Sequence, residues 1–448
     1  MRKITILMLI LIWLIPFTLP AQATGTNALV RDADTGAGLV GVEIWSSAGT
    51  TRSLADGRFQ LPATSGPLVL RQPGYRAQRI SRQDAHPVEL QPVVPKAFYL
   101  SYWAAASQER RDQLLQLLRT SGMNALVLDL KSVRGDVAFR SDSPLARQVG
   151  AQKRRTLKDL PQFLEQLQRQ GIYTIGRIAV FKDDALARAR RDLAVHTLEG
   201  YLWHDRDQLG WSDPYSQAVQ DYNISLAEEA ARLGFDEIQF DYIRFPARSD
   251  LLYSVENWEG LRVAAVNNFL RRAQERLAPY PTMIAADIFG YTCWKQNDGK
   301  IGQRLVELAE HVDYLSPMLY PSGFSRGIPG YSNPVQHPNA VIARSLQRAA
   351  RKAGLKPVRF RPWLQAFRDY AFDRRPFRAQ EVQAQINASD ANGSHGWMLW
   401  NAASRYSLAG LQQRLGLGEL NLADVSPRAE EITVLTRVEE PDKAYPAL

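Results

Sequence analysis

From Pro95 onward the chain alternates apolar β-type runs with amphipathic helical stretches, and this alternation limits its fold more than any other feature. The runs fall at 97–103, 125–131, 173–181, 237–245, 282–290, 312–320, 361–367 and 396–401. Helical stretches lie between them at 108–121, 157–170, 215–233, 256–277, 302–310, 339–353 and 379–388. Each carries apolar residues at helical spacing, as in Leu114, Leu115, Leu117 and Leu118. Eight parallel strands with helices between them predict an α/β fold, a (β/α)8 TIM barrel over residues 95–416. A doubly wound open sheet is the competing arrangement, but no Gly-rich phosphate loop follows an early strand.

The residues before the barrel read differently. Arg2 and Lys3 precede an apolar run at 4–19 that gives way to Ala21-Gln22-Ala23, the layout of a signal peptide cleaved after Ala23. An uncleaved anchor is the alternative, but the run is shorter than the ~20 residues a span needs. No cysteine lies near the cleavage site, which disfavours a lipid anchor, so an exported protein, periplasmic or secreted, is expected. Residues 27–92 hold short β-type runs (28–31, 42–45, 57–61, 67–71) punctuated by Asp34-Thr35-Gly36, Ala55-Asp56-Gly57 and Pro73-Gly74-Tyr75. That spacing predicts a small all-β sandwich. Residues 417–448 mix charges and prolines and read as a poorly ordered extension.

Composition narrows the function classes. Cys293 is the single cysteine, so an intramolecular disulfide is impossible, and with no histidine near it in sequence it reads as a partly buried thiol rather than a nucleophile. The net charge of +9 could suit an anionic glycan or an envelope surface, or serve solubility, but without a basic cluster nucleic acid is not an expected partner. His196, His204 and His311 lack metal-ligand spacing, and Ser225 and Ser316 sit in no nucleophile elbow. No metal and no cofactor is expected, and a monomer is.

In a barrel the C-terminal strand ends face one mouth and can be read together. They offer Tyr102 and Trp103; Asp129 and Lys131; Arg177, Lys182 and Asp183; Asp241, Tyr242 and Arg244; Asp287 and Tyr291; Met318 and Tyr320; Gln365; and Trp397, Trp400 and Asn401. Aromatic faces stack on sugar rings while carboxylates and amides bind hydroxyls, so the mixture suits a polysaccharide or oligosaccharide. Glycoside hydrolysis needs one protonated and one ionised carboxyl. Asp241 and Asp287 end adjacent strands, and they are the candidate catalytic pair, with Asp241 as nucleophile or charge stabiliser and Asp287 as general acid. The opposite assignment stays open, as does a partnership of Asp241 with Asp129 or Asp183. The candidate substrate-binding residues are Trp103, Asp129, Lys131, Arg177, Asp183, Tyr242, Arg244, Tyr320, Gln365, Trp400 and Asn401. Arg244 could hold Asp241 ionised, or the two could form a structural ion pair; Asp129 and Lys131 could simply pair with each other.

Two resemblances add to this reading. Val30, Asp32, Thr35, Gly36, Leu39, Gly41, Val42, Ile44, Asp56, Gly57, Phe59, Leu61, Gly74 and Tyr75 together resemble the carboxypeptidase regulatory-like, transthyretin-related domain, which implies an accessory module. The segments N-A-L-V-L-D-L-K (124–131), I-G-R-I-A-V-F-K-D (175–183), W-S-D-P-Y (211–215), L-G-F-D-E-I-Q-F-D-Y-I-R-F-P (233–246), A-D-I-F-G (286–290) and D-Y-L-S-P-M-L-Y-P (313–321) resemble the DUF4015 family of glycoside hydrolases. That resemblance, over roughly 96–415, implies a TIM barrel of α-amylase-like type and glycosidase chemistry. Gln239 departs from the amylase pattern, in which an arginine stands two residues before the strand-four nucleophile. Trp211, Asp213, Tyr215, Tyr291 and Trp294 could also line the cleft. Two classes of function follow: an exported hydrolase of an envelope or extracellular polysaccharide, and a non-catalytic glycan-binding or envelope-assembly protein.

Overall fold

The computed structural model describes residues 27–62, 66–85, 87–407 and 411. The expected signal peptide and the 417–448 extension lie outside the described residues. The eight apolar runs form eight parallel strands: β1 (Lys96–Leu100), β2 (Ala125–Lys131), β3 (Tyr173–Ala179), β4 (Glu237–Asp241), β5 (Met283–Phe289), β6 (Tyr314–Met318), β7 (Trp363–Gln365) and β8 (Trp397–Trp400). Each pairs with the next and β8 pairs with β1, which closes the barrel. The helices around it are α1 (Gln108–Ser121), α2 (Leu160–Arg169), α3 (Gln217–Leu233), α4 (Glu259–Leu277), α5 (Leu305–Leu308), α6 (Pro338–Ala353) and α7 (Ala379–Ala391). The fifth is a single turn where a longer helix is expected from the sequence.

Strand faces alternate as the pleat requires. Phe98, Leu100, Leu126 and Leu128 pack outward against the helices, while Ala97, Tyr99, Ala125 and Val127 point into the barrel. The helices start and stop on local signals: Ser107 caps α1 through its side chain, Ser216 caps α3, and Gly122 and Gly234 end them in the left-handed conformation.

The N-terminal residues build two sheets around a separate core of Val30, Val42, Ile44, Phe59, Leu68, Leu70 and Leu90. One sheet joins Arg58–Gln60, Asn27–Asp32 and Val88–Leu90; the other joins Gly49–Arg52, Glu43–Ser46, Leu68–Arg71 and Gln78–Ile80. Gly57 is obligatory between them, since its φ is +82° and a Cβ there would meet the Val30 carbonyl oxygen at 2.3 Å. This unit docks on the base of the barrel, opposite the mouth. The Gly74 N–H donates to Tyr314 Oη at 2.8 Å at the start of β6, and Arg76 bonds the Asp236 carboxylate just ahead of β4. Beneath the mouth the interior is closed by a buried Arg361–Glu237 pair, with Tyr173 Oη donating to Glu237 at 3.1 Å and the Arg361 guanidinium lying 4.2 Å from the Tyr314 ring centroid.

Candidate active site

Four inward positions on four neighbouring strands meet at the top of the barrel: Asp129 on β2, Arg177 on β3, Asp241 on β4 and Asp287 on β5. Arg177 is their hub. Its Nε and Nη2 donate to Asp241 Oδ2 at 3.1 and 2.6 Å, and its Nη1 donates to Asp129 Oδ1. The same Nε lies 4.0 Å from Asp287 Oδ2. The Oδ2 atoms of Asp241 and Asp287 can therefore be no further apart than those two Nε distances combined. That bound covers the ~5–5.5 Å of a retaining pair and reaches only the lower end of the ~6.5–9.5 Å of an inverting one.

The guanidinium packs against aromatic rings. Its carbon lies 5.0 Å from the Trp400 centroid and 5.7 Å from that of Tyr99, and those two rings stack at 4.1 Å. Tyr99 Oη and the Tyr102 N–H donate to the second oxygen of Asp129. Arg177 stands in register with Gln239 on β4. The guanidinium beside Asp241 thus comes from the adjacent strand, while Gln239 stands two residues before Asp241 on its own strand.

The two candidate catalytic acids occupy different environments. Asp241 is paired with Arg177 and also accepts the Tyr242 N–H at Oδ1. Asp287 is 1 % exposed, and its Oδ1 accepts the Trp363 indole N–H at 2.8 Å. Its Oδ2 accepts no hydrogen bond among the described residues. Burial, reinforced by the neighbouring Asp241 charge, pushes the Asp287 carboxyl well above the usual range, and Arg177 and the indole pull it back only in part. Burial raises Asp129 as well, against Arg177 and Tyr99. A neutral and an ionised carboxyl side by side can supply a proton and stabilise positive charge, the division of labour that breaking a glycosidic bond requires.

The rim is aromatic. Trp103 is 49 % exposed, with Arg154 over its ring, and Tyr242 is half-buried at φ +50°, a strained backbone for a non-glycine residue at the strand end. Tyr320 is buried and packs edge-on against Phe367. Arg244 does not pair with Asp241; it lies 4.9 Å from the Trp211 centroid and 5.4 Å from that of Tyr242, and its Nη1 donates to the Phe245 carbonyl.

Four expected binding residues serve the frame instead. A bulge at Leu130 sets Ile178 opposite Lys131, after Arg177 opposite Asp129, so Lys131 no longer shares a face with Asp129. Its ammonium pairs with Asp183 at 2.8 Å, both side chains fully buried, and donates to the Ala179 carbonyl at 2.6 Å. Asp183 also caps the short helix Asp184–Ala189 through Leu186 N–H. Gln365 spends its amide on Ser322 and the Phe367 carbonyl, and Asn401 donates to the Ala366 carbonyl and accepts from Ala403. Asp213, Tyr215, Tyr291 and Trp294 are likewise tied into loop packing, through Ser254, Asn257, Gly327 and Ser345. Tyr99 and Trp363 were absent from the expected set. Both lie at inward positions of their strands, Trp363 two residues before Gln365, so the strand alternation could have found them.

No curated protein matches the chain. Among solved structures it is similar to a hypothetical protein from Ruminiclostridium thermocellum, at 35% identity over 42% of this chain and 96% of that one, with a TM-score of 0.38. It is similar to the PgaB (BpsB) glycoside hydrolase domain from Bordetella bronchiseptica at 14% identity, over 70% of this chain and 95% of that one, with a TM-score of 0.51, a likeness of fold. A chitinase from Chromobacterium violaceum is matched at 12% identity over 73% and 100% of the two chains, with a TM-score of 0.45. Residues 97–406 match the family described as "Putative glycosyl hydrolase domain", and the chain belongs to that family, DUF4015.

Proposed function

We propose that the protein is an exported glycoside hydrolase that cleaves O-glycosyl bonds of an envelope or extracellular polysaccharide, with Asp287 as general acid and Asp241 as nucleophile or charge stabiliser. The observation that carries this reading is the contrast between the two carboxyls around Arg177: one ion-paired, the other buried, raised and with an oxygen that accepts no hydrogen bond from the described residues. Trp103 and Tyr242 would form the rim of the sugar site, with the buried cluster of Tyr99, Trp400 and Trp363 packed behind the acids. The N-terminal unit, read as a carboxypeptidase regulatory-like module, would act as an accessory that closes the barrel base, since its contacts are at Tyr314 and Asp236.

A second reading, a glycan-binding protein without turnover, is favoured by one observation: Asp129 and Asp241 are both ion-paired with Arg177 and nearly sealed from solvent. The two readings part on release of reducing ends from a panel of bacterial envelope and extracellular polysaccharides. Release that disappears in Asp241→Ala and Asp287→Ala, with folding unchanged, supports the hydrolase. Binding by the wild type without release from any glycan supports the binder.

A further inference from the structure

We propose that Trp363 is a positioning residue that decides which oxygen of Asp287 carries the acidic proton. The inference deepens the hydrolase reading and rests on Asp287 being its general acid. An indole N–H can only donate, so the oxygen it meets at 2.8 Å, Oδ1, has to present a lone pair. A carboxyl hydroxyl oxygen is a weaker acceptor than the carbonyl oxygen beside it, so the indole bond is strongest when Oδ1 is the carbonyl oxygen. In the neutral carboxyl the proton therefore sits on Oδ2, the oxygen that accepts no hydrogen bond from the described residues. The indole cannot turn away, because it is buried and held edge-on by Tyr99 at 6.1 Å and by Trp400 at 5.4 Å.

The charged and titratable groups that face this carboxyl are Asp241 and, one layer deeper, Glu237 from β4, Arg177 from β3 and Tyr320 from the end of β6. The Arg177 Nε lies 4.0 Å from Oδ2, beyond hydrogen-bond distance. In the reaction the proton leaves Oδ2 for the glycosidic oxygen as the anomeric C–O bond breaks and its electron pair stays on the leaving oxygen. The Asp287 carboxylate so formed keeps the indole N–H on Oδ1, and a water that completes hydrolysis returns a proton to Oδ2. Trp363 thus favours release of the proton without taking part in it.

The test needs no substrate, so it can fail or succeed independently of the hydrolase reading. Infrared difference spectra of the wild type, Asp287→Asn and Trp363→Phe would be recorded near neutral pH, together with nitrogen-15 spectra of the indole groups. The wild type should show a protonated-carboxyl band that Asp287→Asn removes and Trp363→Phe shifts to higher frequency, because its carbonyl oxygen has lost a donor. One indole resonance, missing in Trp363→Phe, should move with pH in the wild type and stay still in Asp287→Asn. If Trp363→Phe does not fold, the pH-dependent indole resonance and its response to Asp287→Asn still decide. A carboxyl band unchanged in Trp363→Phe, or indole resonances indifferent to Asp287→Asn, would overturn the proposal.

Discussion

Replacing Arg177 with methionine removes a cation shared by three buried carboxyls while leaving an apolar chain to pack against Tyr99 and Trp400. Breaking a buried ion pair by deleting one partner typically costs ~3–5 kcal/mol, because a charge is left without its counter-charge in low dielectric. Here Asp129 and Asp241 each lose a charge-assisted bond, so a loss of that size is expected near pH 7. The cost should shrink in acid, and its sign follows from proton linkage. Asp129 and Asp287 already lie above the ordinary carboxylate value in the folded protein, so the native state binds more protons than the unfolded chain between the two values. Stability falls as pH rises through that window, and taking Arg177 away widens it. Urea unfolding of wild type and Arg177→Met, followed by tryptophan fluorescence at about pH 7 and about pH 4.5, should give a difference clearly smaller at the lower pH. An equal loss at both pH values, or a loss below about 1 kcal/mol at pH 7, would refute the hub assignment.

Three further expectations can be checked with the same preparations. For any glycan the protein cleaves, the alkaline limb of kcat/KM should lie above the ordinary carboxylate range, because the acid works protonated and Asp287 is raised; a limb at the ordinary value would point to another acid. Lys131→Met should cost ~3–5 kcal/mol, since it strands the Asp183 carboxylate in the core, and should leave glycan affinity of the folded protein unchanged. Cys293 is buried and its thiol is pushed up to about 12, so a thiol reagent at mildly alkaline pH should modify it only after unfolding, as mass spectrometry would report.

The barrel was legible because each strand is a run of residues buried on both faces, and such runs stand out against the amphipathic helices between them. The ends of the runs were not. By sequence β4 runs to Phe245, but the regular strand ends at Asp241, after which Tyr242 turns into the left-handed region. Pattern also placed Asp241 and Asp287 on adjacent strands, since a carboxylate at the end of an apolar run has few structural uses. What it could not supply was the partner of each charge. Arg244 is three residues from Asp241 and Arg177 is on another strand, yet Arg177 makes the pair, because inward positions of neighbouring strands are closer than positions past a turn. A single-residue bulge separated Lys131 from Asp129, and bulges leave no mark in an apolar run of this kind. Gln365 and Asn401 looked like ligands for hydroxyls because an amide suits a backbone turn and a sugar equally well; only the neighbours, Ser322 and Ala366, decide.

The central claim is that Asp287 and Asp241 together cleave a glycosidic bond, and release of reducing ends tests it most directly. The full chain, Asp241→Asn and Asp287→Asn would be compared on the polysaccharide panel, with circular dichroism confirming that all three are folded. The account predicts release by the wild type and a loss of at least about a hundredfold in each variant, the scale of removing an acid–base group. Release that survives either substitution, or glycan binding without release by the wild type, would contradict it.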